Sequence, residues 1–166
     1  MKARYQFLPA LLLAAGSVVS GFMATALPAW AGSGADAIIA ACLARTEDDK
    51  GDRRSCIGIV ADACLGSGDM STSAQVGCYD GELKAWDVRL NTYYKKVLAD
   101  LPAKSARQLR ESERSWIETR KTTCAFYDVF YEGGTMARPM AADCYNRMTA
   151  ERVLFLKSFA DGVGDR

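Results

Sequence analysis

Apolar residues recur at steps of three and four along most of the chain, and no stretch alternates with period two. The pattern predicts helices and no sheet. Glycine and polar clusters punctuate the periodic segments. Ala35 to Thr46 reads as a short helix, ended by Glu47-Asp48-Asp49-Lys50-Gly51-Asp52, and Arg53 to Leu65 as a second, stopped by Gly66-Ser67-Gly68. A third helix runs from about Ser73 to Leu101. Thr72 and Gln75 have capping-box spacing at its start, and Leu83, Trp86, Leu90, Tyr94, Val97 and Leu101 form one stripe. Pro102, tolerated in a first turn, opens a fourth helix to about Phe130, with Leu109, Trp116, Cys124 (or Thr123), Tyr127 and Phe130 facing inward. Gly133-Gly134 breaks the chain again. The fifth helix, about Met136 to Ala160, has Met140, Cys144, Met148, Phe155 and Phe159 as its inward candidates. The fold expected is all-α: a disulfide-stapled antiparallel bundle of three long helices plus a short N-terminal helical hairpin.

The start of the chain follows a different logic. Lys2 and Arg4 precede an apolar run from Phe7 to Ala26, and Ala29-Trp30-Ala31 places small residues where a signal peptidase reads them. This pattern predicts an export leader cleaved before Gly32. The run is long enough to span a bilayer, so an uncleaved anchor is the alternative, although Gly16, Ser17, Ser20 and Gly21 dilute it. Ile39-Ala40-Ala41-Cys42 resembles a lipoprotein box. Gly32-Ser33-Gly34 and Asp36 separate it from the apolar run that such a box should close. The resulting division is 1–31 signal peptide, 32–70 N-terminal helical hairpin extension and 71–166 main helical domain, the last two forming one unit. A periplasmic or secreted location is expected, with no stable membrane insertion after cleavage.

All six cysteines follow the leader, an even count that reads as three disulfides in an oxidising compartment. Six cysteines allow fifteen pairings. Helical hairpins make the nearest-neighbour set geometrically easy: Cys42–Cys56 level across the Glu47–Asp52 loop, Cys124–Cys144 across the Gly-Gly loop, and Cys64–Cys78 closing the remainder.

Charge and composition remove several function classes. Without Lys2 and Arg4 the chain has 19 basic and 20 acidic residues, so no cationic excess is left to neutralise a phosphate backbone. Nucleic-acid binding is not expected. There is no histidine, which excludes Ser-His-Asp and Cys-His pairs and zincin motifs. No C-x-x-C pair exists, and no metal or cofactor is expected. The loop Glu47 to Asp52 lacks the alternation and closing Glu of an EF-hand.

Carboxylates are the remaining candidates for acid–base chemistry. Glu111 and Glu118, about 10 Å apart on one helix face, approach the separation of an inverting glycosidase pair. Arg107, Arg110, Arg114 and Lys121 surround them at three- and four-residue spacings, the pattern of a solvated ion-pair face. Glu113 and Arg120 instead interrupt the apolar stripe on either side of Trp116 and need partners if buried. We expect them to form a structural polar core, with Asn91 contributing from the neighbouring helix and Arg120 held by a carboxylate or backbone carbonyls, Glu113 being the nearest candidate.

From Cys78 to Leu156 the chain resembles the LprI-type lysozyme-inhibitor domain, a small all-helical module of exported bacterial proteins. The resemblance is carried by Cys78, Glu82, Trp86-Asp87, Leu90-Asn91 and Tyr94. It continues through Leu109, Glu113-Arg114-Ser115-Trp116, Arg120 and Cys124 to Tyr131-Glu132-Gly133-Gly134-Thr135, Cys144, Thr149 and Arg152. Glu113 stands where Gln is more frequent in the family, and Lys121 where Asp is usual. The region Ala35 to Leu65 looks like an addition found in a subset. The resemblance implies a non-enzymatic protein that inhibits lysozyme-type muramidases. The alternative is a structural or stress-related envelope module that binds another protein or peptidoglycan without inhibiting lysozyme. For a protein partner, the contact candidate is the loop between the fourth and fifth helices. Tyr131 offers an aromatic anchor, Gly133, Gly134 and Thr135 an adaptable backbone, and Arg138 a cation. A loop tethered at both ends loses less entropy on binding.

Overall fold

The computed structural model describes residues 30–66 and 68–162. The apolar leader run lies outside the described residues. The described residues form five helices: α1 (Trp30–Asp48), α2 (Ile59–Leu65), α3 (Thr72–Asp100), α4 (Ala103–Phe130) and α5 (Ala137–Gly162). A 3-10 turn occupies Arg53–Cys56, and there is no strand among the described residues. Among the described residues α1 is already helical from Trp30, ahead of the expected start at Ala35.

The expected second helix is two pieces. Gly58 has φ +95°, a left-handed conformation that glycine adopts with little strain, and it separates the 3-10 turn from α2. The break turns the first amides of α2 towards a single acceptor, the fully buried carboxylate of Glu82 on α3. Gly58 N–H donates to Oε1 at 2.7 Å, and Val60 and Ala61 N–H donate to Oε2 at 2.9 and 2.8 Å. The Trp86 indole N–H, one turn along α3, donates to Oε1 at 2.8 Å. A buried carboxylate is tolerated only when its oxygens are bonded in this way, and helix N-termini favour an anion.

Two other helix starts lie one residue from their expected places. Ser71, not Thr72, caps α3: its hydroxyl accepts from Ala74 N–H at 3.2 Å, while the Gln75 amide donates to the Met70 carbonyl at 2.7 Å. Pro102 is the cap of α4 rather than its first residue, and its carbonyl accepts from Ala106 N–H at 2.9 Å.

The three long helices run up, down and up. Asp87 of α3 faces Arg120 of α4, and Val97 and Leu101 share a groove with Ser105 and Leu109, so α3 and α4 are antiparallel. Glu113 meets Arg152 and Cys124 meets Cys144, so α5 reverses again. α5 packs closely on both α3 and α4, whereas α3 and α4 scarcely approach each other. Small buried residues of α5 (Ala142, Thr149, Ala150, Ala160) permit that close approach, because the side chains at a helix crossing set its distance. Around Trp86 the core gathers Ile39, Cys42, Leu43, Cys56, Ala85, Ala150 and Val153, which joins α1, α3 and α5.

The C-terminal half of α5 corrects the sequence expectation. Phe155 and Phe159 are largely exposed, and Val153, Leu156, Lys157 and Ala160 take the buried positions. The two phenylalanines pack edge to face at 5.0 Å beside a shallow groove lined by Val97, Leu101 and Leu109. The small face of α5, rather than its largest side chains, is what fits against α3.

Three disulfides cross the fold. Cys42–Cys56 ties α1 to the 3-10 turn, Cys64–Cys78 ties α2 to α3, and Cys124–Cys144 ties α4 to α5, with Cα separations of 5.8, 5.5 and 5.5 Å. Closing loops of this length stabilises the folded chain by about 3 kcal/mol each, and such bridges persist in an oxidising compartment.

Candidate interaction surface

At the end of the α4–α5 hairpin the chain turns within a few residues. Glu132 takes φ +50° and Gly133 φ +68°. Gly133 N–H closes on the Asp128 carbonyl at 2.9 Å, and Glu132 N–H on that of Val129 at 3.2 Å, which satisfies two terminal carbonyls of α4. Gly134 N–H then donates to the Tyr131 carbonyl at 2.8 Å, and a Cβ at Gly134 would come within 2.9 Å of that same oxygen. The turn is therefore rigid in its backbone. Behind it lies the buried Cys124–Cys144 bridge, with the Met148 sulfur 3.8 and 3.9 Å from its two sulfurs. One turn further along α5 from Asp143, Arg147 donates to that carboxylate at 2.9 Å, which holds the guanidinium above its ordinary pKa.

Of the five residues proposed for contact, Gly133, Gly134, Thr135 and Arg138 are exposed, and Arg138 has no ion pair among the described residues. Tyr131 is half-buried: its ring stacks on Tyr127 at 6.3 Å and meets Phe130 edge-on at 5.0 Å. The larger apolar surface is on residues the sequence reading missed. Phe126 is 60% exposed, Val129 72%, Phe130 64% and Met136 46%. Phe130, expected to face inward, does not. Counting about 100° per residue, Phe126 and Phe130 lie on the side of α4 away from Cys124. The last two turns of α4 thus carry apolar residues on two faces, and α5 covers only one. That doubling at positions 126, 129 and 130 was the available signal.

The expected polar core is only partly assembled. Glu113 is buried, but its partner is Arg152 of α5, whose Nε and Nη2 donate to Oε2 at 2.9 and 2.8 Å; Nη2 also reaches Ser112 Oγ at 2.9 Å. Arg120 is not held by Glu113. Its Nη1 donates to Thr149 Oγ1 at 2.6 Å and lies 3.7 Å from Asp87. Burial raises the pKa of Asp87, and Arg120 opposes that rise. The two arginines flank Trp116, at 4.7 and 5.7 Å from its ring centre. Asn91 is exposed and donates to the Asp87 carbonyl of its own helix at 2.8 Å, so it is not a core partner. Two turns separate Glu113 from Arg120 along α4, too far for contact, whereas Arg152 arrives directly opposite on α5.

Glu111 and Glu118 are exposed, and neither ion-pairs with the cations around them. The face is solvated, but it is not the expected ion-pair face. Among the described residues no cluster of three or more His, Cys, Asp or Glu side chains has metal-site geometry, and no helix is long and apolar enough to cross a membrane.

Comparison with known proteins matches the family model for the lysozyme inhibitor LprI over residues 64–156. No curated protein and no solved structure matches the chain. The matched region begins at Cys64, at the end of α2, and includes α3, α4 and most of α5 with the disulfides Cys64–Cys78 and Cys124–Cys144. Because this match spans more than half of an all-helical, disulfide-stapled chain, the protein belongs to the LprI lysozyme-inhibitor family.

Proposed function

We propose that the protein is an exported, non-enzymatic inhibitor of lysozyme-type muramidases and that it acts through the tip of the α4–α5 hairpin. Family membership supports the inhibitory role. The observation that supports the location is the apolar ridge of Phe126, Val129 and Phe130, continued by Met136, on a braced turn. Contiguous exposed apolar surface on a small protein marks a contact site, and a backbone already fixed by its own hydrogen bonds loses little freedom on docking. Arg138 adds an unpaired cation at the same end, suited to the catalytic carboxylates of a muramidase cleft.

The test is residual muramidase activity, measured against several lysozymes with the intact oxidised protein and three variants: Phe126→Ser/Phe130→Ser, Tyr131→Ala and Arg138→Glu. The ridge variant should weaken inhibition at least tenfold, about 1.4 kcal/mol or more, and Arg138→Glu should weaken it less. Folded tip variants that inhibit like the wild type would place the contact elsewhere. A wild-type protein that inhibits none of the lysozymes would favour an envelope protein-interaction module.

A further inference from the structure

The tip leaves unexplained a second group of residues from the sequence motifs, Leu90, Asn91, Tyr94, Glu113 and Arg114. They lie far apart in the chain and converge on one feature. Because α3 and α4 scarcely touch, a cleft of 290 Å³ opens between them, walled by these residues with Arg110 and Ile117. Arg114 is twelve residues before Phe126, about 18 Å along α4, so the cleft is separate from the tip.

Three observations describe what it would hold. Arg110 and Arg114 are exposed on its lining and have no carboxylate within ion-pair distance among the described residues. Glu113, in the wall, engages Arg152 through Oε2, and its Oε1 is shielded from solvent, so it presents no free acceptor to the cleft. Asn91 donates its amide N–H to its own helix, which leaves Oδ1 as an acceptor. The rest of the lining is Leu90, Tyr94 and Ile117, an apolar floor with one aromatic ring.

We propose that this cleft binds a carboxylated sugar. Two guanidiniums meet its carboxylate, Asn91 Oδ1 accepts from a hydroxyl or amide N–H group, and Tyr94 packs against the C–H face of the ring. A neutral sugar leaves the cations unused, and a simple carboxylate leaves the Asn91 acceptor and the apolar floor unused. The volume lies just below the range of about 300–1,000 Å³ typical of drug-sized ligands, which suits one ring rather than a chain.

The experiment titrates the intact oxidised protein with N-acetylmuramic acid, N-acetylglucosamine and lactate, followed by amide chemical shifts. N-acetylmuramic acid should give saturable shifts at Leu90, Tyr94 and Ile117, and the other two should bind at least tenfold more weakly. Arg110→Glu/Arg114→Glu, on an exposed face, should weaken binding at least tenfold without changing the melting temperature, and Phe126→Ser/Phe130→Ser should leave it unchanged. Absence of saturable shifts at millimolar N-acetylmuramic acid overturns the proposal. So does equal binding of N-acetylglucosamine, or wild-type binding by the double arginine variant. The tip's role in inhibition is read by a separate assay and stands or falls independently.

Discussion

The two disulfide-crossed hairpins of this molecule use one turn design in opposite surroundings. Lys50 at φ +53° and Glu132 at φ +50° are each followed by a glycine whose N–H closes on a carbonyl five residues back, Thr46 at 2.8 Å and Asp128 at 2.9 Å. The N-terminal hairpin is then covered on its apolar side, while Glu47, Lys50, Gly51 and Asp52 stay exposed and line a pocket. Its Cys42, Cys56, Ile39 and Leu43 pack around Trp86, and Glu47 and Arg53 join Lys157 and Asp161 of α5 in an ion network with separations of 2.8–3.7 Å. The C-terminal hairpin leaves Phe126, Val129 and Phe130 in solvent. A similar closure, although Gly51 lacks the positive φ of Gly133, thus gives one hairpin whose apolar side is covered and one whose apolar side is open. The difference lies in whether a further element packs over the hairpin, and the open end is the one available to a partner.

The strongest way to break this comparison is at Glu82, which fastens α2, and with it the N-terminal hairpin, to α3. Glu82→Ala leaves three backbone N–H groups and an indole N–H buried without an acceptor, and should lower stability by about 3–5 kcal/mol in denaturant unfolding. A loss below about 1 kcal/mol would mean that the disulfides, core packing and ion pairs hold the hairpin without this carboxylate.

Within the C-terminal hairpin, the two arginines of the Trp116 cluster should separate. Arg152→Ala strands the buried Glu113 carboxylate and should lower stability by about 3 kcal/mol. Arg120→Ala loses a hydrogen bond to Thr149 from a half-buried position, and should lower it by about 1 kcal/mol. Equal effects in thermal unfolding would show that Glu113 does not depend on Arg152. The smallest effect tests the shared turn design itself. Lys50→Gly and Glu132→Gly each relieve a left-handed residue and should raise stability by about 0.5–1 kcal/mol. A gain at one turn and a loss at the other would show that the turns are not equivalent.

Much of the helical layout was legible without coordinates. Three- and four-residue periodicity is a property of a single segment, and Gly133 ends α4 in a left-handed conformation that glycine adopts locally, so most helix ends fell within a few residues of their places. The exceptions each involve a distant partner. The gap between Cys56 and Ile59 exists because Glu82, more than twenty residues on, gathers the amides that an unbroken helix would have used internally.

The candidate site was legible in outline for the same reason. The Gly-Gly turn and its exposed Arg138 are local features. The apolar ridge was not, because Phe130 on a helical stripe reads as core until the width of the covering helix is known. Likewise, a charged residue in an apolar stripe announces that Glu113 needs a partner, but Arg120 and Arg152 look equivalent along the chain. What the sequence by itself determined is which residues form each helix and which faces are apolar, since both follow from the period of the backbone. Tertiary structure alone decided which of those faces is covered, which arginine meets Glu113, and that α3 and α4 stand apart with a cleft between them. Those outcomes depend on α5 packing its small side chains against both α4, its neighbour in the chain, and α3, far from it in sequence, and no local rule carries that geometry.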